Sequence, residues 1–179
     1  MINYDVAVHS ANWPTMQALQ ECIDAYRWPV KIGEKANPQW TKPLTKSPYA
    51  LGLPVVFKGA PIELEASLST LTLNDPLDIN DKLAGIGASD VRFGEGDRVL
   101  TITFRANIKE YQAGFYVMAA LIKCFNGYGF HGRNHGGQGY ADSLIAEAAR
   151  LESEGQTPID GVQAKRTLDD FLNLHKKLK

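Results

Sequence analysis

The hydrophobic period of the chain changes in its second half, and that change limits the folds open to it. From Ile62 to Leu71, apolar Ile62, Leu64, Ala66 and Leu68 alternate with Glu63, Glu65, Ser67 and Ser69; from Arg98 to Arg105, Leu100, Ile102 and Phe104 alternate with Thr101, Thr103 and Arg105. A period of two marks strands with one buried and one wet face. From Ile108 to Phe125 the period is helical. Tyr111, Phe115, Met118, Leu121 or Ile122, and Phe125 form one apolar stripe, and Asn107 stands where a cap belongs. Strands followed by a long apolar-striped helix call for an α+β arrangement, a sheet covered by helices on one face.

The first thirty residues add a β-α-β opening. Tyr4, Val6 and Val8 alternate with Asp5 and Ala7 in a strand over Ile2 to His9. A helix follows, with Asn12 as its cap, Pro14 in its first turn, and Met16, Leu19, Cys22, Ile23 and Tyr26 at helical spacing; Pro29 stops it after Trp28. Val30-Lys31-Ile32 then forms a second strand. Residues 34–54, with Pro38, Pro43, Pro48 and Pro54, read as a long irregular connection. Two hairpins are expected: Val55-Val56-Phe57 with Ile62 to Leu71 through Lys58-Gly59-Ala60-Pro61, and Asp90 to Phe93 with Arg98 to Arg105 through Gly94-Glu95-Gly96-Asp97. Two helices close the chain, over 140–154 and 161–178. The expected architecture is therefore one α+β domain over 1–179, with a mixed or mostly antiparallel sheet of about five to six strands and residues 140–179 as a C-terminal helical extension packed on it.

Nineteen basic residues stand against twenty acidic ones. Such a balance supplies no global field to attract nucleic acid or anionic lipid, so neither partner is indicated. The basic end, His175 to Lys179, reads as a solvated helix terminus. No basic segment followed by an apolar run opens the chain, and no apolar stretch approaches eighteen residues. Cys22 and Cys124 fall on the apolar faces of expected helices and read as buried reduced thiols. These features together point to a cytoplasmic protein that spans no membrane.

The segment from Gly127 to Gly139 departs furthest from ordinary composition, with six of the sixteen glycines and two of the four histidines. Gly127, Gly129 and Gly132 have the spacing of a dinucleotide fingerprint, but a helix precedes them where that motif needs a strand. Gln138-Gly139 stands where a phosphate-binding loop has Lys followed by Ser or Thr. No cofactor is expected. His131 and His135 are four apart, a spacing that lets two imidazoles share a metal on a helix, with His9 or Asp142 as a third ligand, although the glycines argue against a helix there. The segment reads instead as a partner-facing connection between two helices. His131, Arg133, Asn134 and His135 are its candidate contacts, joined by Trp40 and Tyr49 as aromatic anchors. Glu63 and Glu65 share one wet strand face, where Arg92, Arg98 or Arg105 can pair with them. No serine has the surroundings of a nucleophile.

The Tyr4-Asp5-Val6-Ala7-Val8 strand, the Trp13-Pro14 helix entry and the Trp28-Pro29 exit into Val30-Lys31-Ile32 resemble those of small bacterial α+β proteins, among them immunity proteins of toxin–immunity systems. The likeness extends through the second hairpin and the apolar helix to about residue 127, where this chain has its Gly/His segment instead of a short apolar strand and an Asp-Pro turn. The resemblance implies a cytoplasmic protein that binds and neutralises a partner, a toxin, without catalysis of its own. The alternative reading of the residues is a metal-assisted or acid/base hydrolase using residues 127–139, with His131 and His135 as ligands or proton carriers.

Overall fold

Strand β1 (Ile2–Val8) lies inside a sheet because both of its faces find cover: Tyr4, Val6 and Val8 are fully buried on one side and Ala7 on the other. The computed structural model that shows this describes residues 1–33, 37–72, 79–88, 90–105 and 107–154. The helix expected over 161–178 and the basic residues 175–179 lie outside the described residues. The other strands are β2 (Val30–Ile32), β3 (Tyr49–Phe57), β4 (Ala60–Thr70), β5 (Arg98–Phe104), β6 (Tyr128–His131) and β7 (Asn134–Gly136). They form one seven-stranded sheet in the order β2-β3-β4-β5-β1-β6-β7, every neighbouring pair antiparallel. The α+β class holds, with seven strands where five or six were expected.

Helices α1 (Met16–Ala25), α3 (Ile108–Phe125) and α4 (Gln138–Glu154) cover one face. Residues Leu19 and Ile23 of α1, Phe115 and Met118 of α3, and Leu144 and Ala148 of α4 join Tyr4, Leu53, Leu68, Ile102 and Phe104 of the sheet in one core. Twelve of the eighteen residues of α3 are buried, because the sheet lies under it and α1 and α4 flank it. Its cap is the expected one: the Asn107 side chain accepts from the N–H groups of Lys109 and Glu110. The cap of α1 is Thr15, three residues beyond the expected Asn12, and its hydroxyl accepts from Ala18 N. A second, smaller core forms on the opposite face, where α2 (Ile79–Gly85) lays Ile79 and Leu83 on Ala7, Val99 and Phe130.

Several local expectations change. β1 and β2 run in the same direction, but three strands separate them, so α1 crosses the sheet rather than joining neighbours. Residues 91–93 are not a strand, because both sides of β5 are already taken by β1 and β4. The second hairpin is instead β6–β7, inside the glycine-rich segment, and its two-residue turn opens with Gly132 at φ 57°. The first hairpin turns through Lys58 and Gly59, both at positive φ, and β3 begins at Tyr49 within the stretch expected to be irregular. The two cysteines are bonded to each other, tying α1 to the end of α3, and Cys124 is exposed. Both departures overturn the reading of two buried reduced thiols.

The approach of α3 to β5 sets a sharp test. A Cβ at Gly114 would lie 2.4 Å from Cε1 of the buried Phe104 ring. Alanine in a helix interior ordinarily gains about 1 kcal/mol over glycine. Here overpacking against an immobile ring costs about 1–3 kcal/mol, so the clash outweighs the propensity. Gly114→Ala is expected to lower stability in denaturant unfolding; a more stable variant would contradict the close packing.

Candidate functional site

The register across the sheet places a row of side chains on the face opposite the three helices. Ala50 of β3 pairs with Ser67 of β4, Ser67 with Thr101 of β5, Thr101 with Asp5 of β1, Asp5 with Phe130 of β6, and Phe130 with His135 of β7. Directly paired residues share a face. Helix α2 stands over part of this row, leaving a cleft of about 440 Å³ lined by Asp5, Ser67, Ser69, Thr101, Lys82, Val99, Phe130 and neighbouring residues. Asp5 is the carboxylate of the cleft. Its Oδ1 accepts a hydrogen bond of 2.5 Å from the Thr101 hydroxyl. Burial pushes the Asp5 carboxyl above its ordinary value, and the opposing pulls of Thr101, Lys82 and His131 offset only part of that.

His135 lies on this same face. Its Nδ1 shares a hydrogen bond of 2.6 Å with the Tyr128 hydroxyl, which burial, with the nearby Asp90 charge, raises above its usual range. His131 does not join them. One residue further than Phe130 along β6, it faces the helices, its ring stacked on Tyr4 at 4.0 Å and its Nδ1–H donating to the Asn3 carbonyl at 2.8 Å. The two histidines of the alternative metal reading thus lie on opposite faces of the sheet. The helical spacing argument fails because residues 128–136 are strand and turn, where neighbours alternate sides. Among the described residues, no three His, Cys, Asp or Glu side chains come together to hold a metal ion.

Gly129 explains part of the glycine content. It faces α4, and a Cβ there would lie 2.5 Å from the Tyr140 ring. Arg133 and Asn134 occupy the tip of the hairpin and its first β7 residue, Arg133 exposed and Asn134 partly so. Trp40 is not a surface anchor: it is 1% exposed, and its indole N–H donates to the Pro14 carbonyl at 2.9 Å. The Trp13 indole in turn donates to the Trp40 carbonyl, and the largely buried Arg98 guanidinium donates to the carbonyls of Gln39, Trp40 and Lys42. Tyr49 packs against the main core at the start of β3. The six expected contact residues therefore separate into a hairpin group and a core group.

His9 has a role of its own. Its Nδ1–H donates to Asp97 Oδ2 at 3.1 Å, and the Asp97 carboxylate also accepts from Ser10 N and Gly94 N, both at 2.7 Å. Burial acts to raise this carboxyl, but the two backbone donors and the imidazole outweigh it and hold it below its ordinary value. The ring of His9 stacks on Phe93 at 4.5 Å. This cluster closes the 94–97 turn over the end of β1.

Compared with known proteins, no family model matches the chain, and no curated protein or solved structure matches it. No helix among the described residues is long and apolar enough to cross a membrane.

A carboxyl raised by burial makes a signed prediction. The folded chain holds the Asp5 proton more tightly than the unfolded chain does, so this group removes stability as pH rises from 3.8 through its raised value. Asp5→Asn keeps an acceptor for Thr101 and abolishes that loss. In thermal melts the variant is expected to exceed the parent at pH ~7, with the gap closing below pH ~3. A variant melting lower at neutral pH would contradict a costly buried carboxylate.

Proposed function

We propose that the protein works by docking another protein on the open half of the sheet face opposite the three helices, without catalysis of its own. The observation that carries this reading is the outward row of β3. Solvent-facing rows of antiparallel sheets are ordinarily polar. On β3 the exposed positions are Ala50, Gly52, Pro54 and Val56, which bear no charge and no hydrogen-bonding side chain. An exposed apolar strip rimmed by charge is a common docking surface. The rim is β4, where Glu65 pairs with Arg105 at 2.6 Å and Glu63 reaches across the bare Cα of Gly52. Glu63 has no ion-pair partner among the described residues. The fitting occupant is a protein surface with an apolar strip of its own and a Lys or Arg directed at Glu63.

The resemblance to immunity proteins makes that partner a toxin and implies a cytoplasmic setting. With Cys22 and Cys124 bonded to each other, the cysteines no longer support that setting. The hydrolase reading loses its main support, since the β6–β7 register turns His131 and His135 away from each other.

Affinity capture with the full chain tests the docking reading. Val56→Arg and Ala50→Arg alter exposed positions and leave the core intact, as circular dichroism would verify. Each is expected to weaken capture of the partner by about tenfold or more, while Gln17→Arg on the exposed side of α1 leaves it unchanged. Equal capture by the strip variants, or no partner retained by the parent chain, would contradict the proposal.

A further inference from the structure

The α2 cleft carries a second site that the docking strip does not use. It holds one carboxylate and one ammonium group, from Asp5 on β1 and Lys82 on α2. They do not pair with each other, and among the described residues neither the second Asp5 oxygen nor the Lys82 ammonium has a hydrogen-bond or ion-pair partner. The hydroxyls of Ser67 and Thr101 stand beside Asp5 along one row of the sheet, and Ser69 lies one pair along β4. Most of the remaining wall is apolar, with Ile79, Val99 and Phe130 all buried, and Ser47 and Pro48 complete the rim.

This combination discriminates among ligands. A divalent cation would find a single carboxylate and a repelling ammonium. A phosphate would face the Asp5 charge, and a neutral sugar would leave both charges unmatched in a partly dry cleft. A molecule bearing both charges answers each in turn. From these positions we infer that the cleft binds a small zwitterion of amino-acid or dipeptide size, its ammonium on Asp5, its carboxylate on Lys82 and its apolar part against Phe130, Ile79 and Val99. The volume of about 440 Å³ falls in the range of small-molecule sites and leaves room for a side chain beyond the zwitterionic head. Phe130 divides this cleft from His135, whose bond to Tyr128 bounds the row on the β7 side.

Isothermal titration of the full chain with the protein amino acids and the dipeptides Gly-Leu and Leu-Gly tests the inference without touching Ala50 or Val56. At least one of these is expected to bind saturably. Its N-acetyl and its amide derivatives, which each lack one charge, should bind about tenfold or more weakly. Lys82→Ala, at an exposed position, should weaken the zwitterion to a similar degree and should no longer distinguish it from its amide. Asp5→Asn should likewise no longer distinguish it from its N-acetyl derivative. No saturable binding by any of these probes, or binding indifferent to both substitutions, would overturn the proposal.

Discussion

The register of β1 decides which side chains reach each face of the sheet. Tyr4, Val6 and Val8 are drawn under α3 and its neighbours, and that burial locks the strand against β5 on one side and β6 on the other. The period of a strand is two, so a slip of one residue would exchange its faces. Tyr4 would then enter the α2 cleft, and Asp5 would be driven into the apolar layer beneath the helices, at the cost of burying a carboxylate. The same lock orients β6, and through it the opposite placement of His131 and His135.

The two faces of the sheet consequently do different work. One is covered by α1, α3 and α4, and the close contact of Gly114 with Phe104 shows how little space remains there. The other is divided between a small core under α2, a polar cleft at its margin, and the bare apolar row of β3. Stability thus resides mainly on the helical side, which leaves the opposite side free to carry the bare β3 row and the α2 cleft within one sheet.

Much of the frame was legible from periodicity. The alternation of Leu100, Ile102 and Phe104, the stripe of α3 and its Asn107 cap all correspond to observed elements, because each depends on neighbours close in sequence. Pairing across the sheet was not legible. The hairpin expected at residues 90–105 fails because the turn at Gly94–Asp97 is real, but β5 finds its partners in strands more than twenty residues away. The Gly/His segment misled for a related reason: its glycines admit Tyr140 and a tight turn between two strands, whereas their density suggested an irregular connection. Asp5 was visible as a lone carboxylate in an apolar strand. Only the meeting of β1, β4 and β5 gives it Thr101 and Ser67 as neighbours, so no local signal marked it as a site residue. Trp40 carried the composition of an interface anchor, yet Arg98, fifty-eight residues away, draws the carbonyl beside it into the interior.

The most direct measurement of this account is a set of cross-strand nuclear Overhauser contacts on isotope-labelled protein. Backbone contacts linking Asp5 to Thr101 on one side and to Phe130 on the other are predicted, because in that register Asp5 faces the cleft and His131 the helices. Contacts from Asp5 to Leu100 or Ile102, or to Gly129 or His131, as its directly opposed residues would reverse the faces of β1 and contradict it.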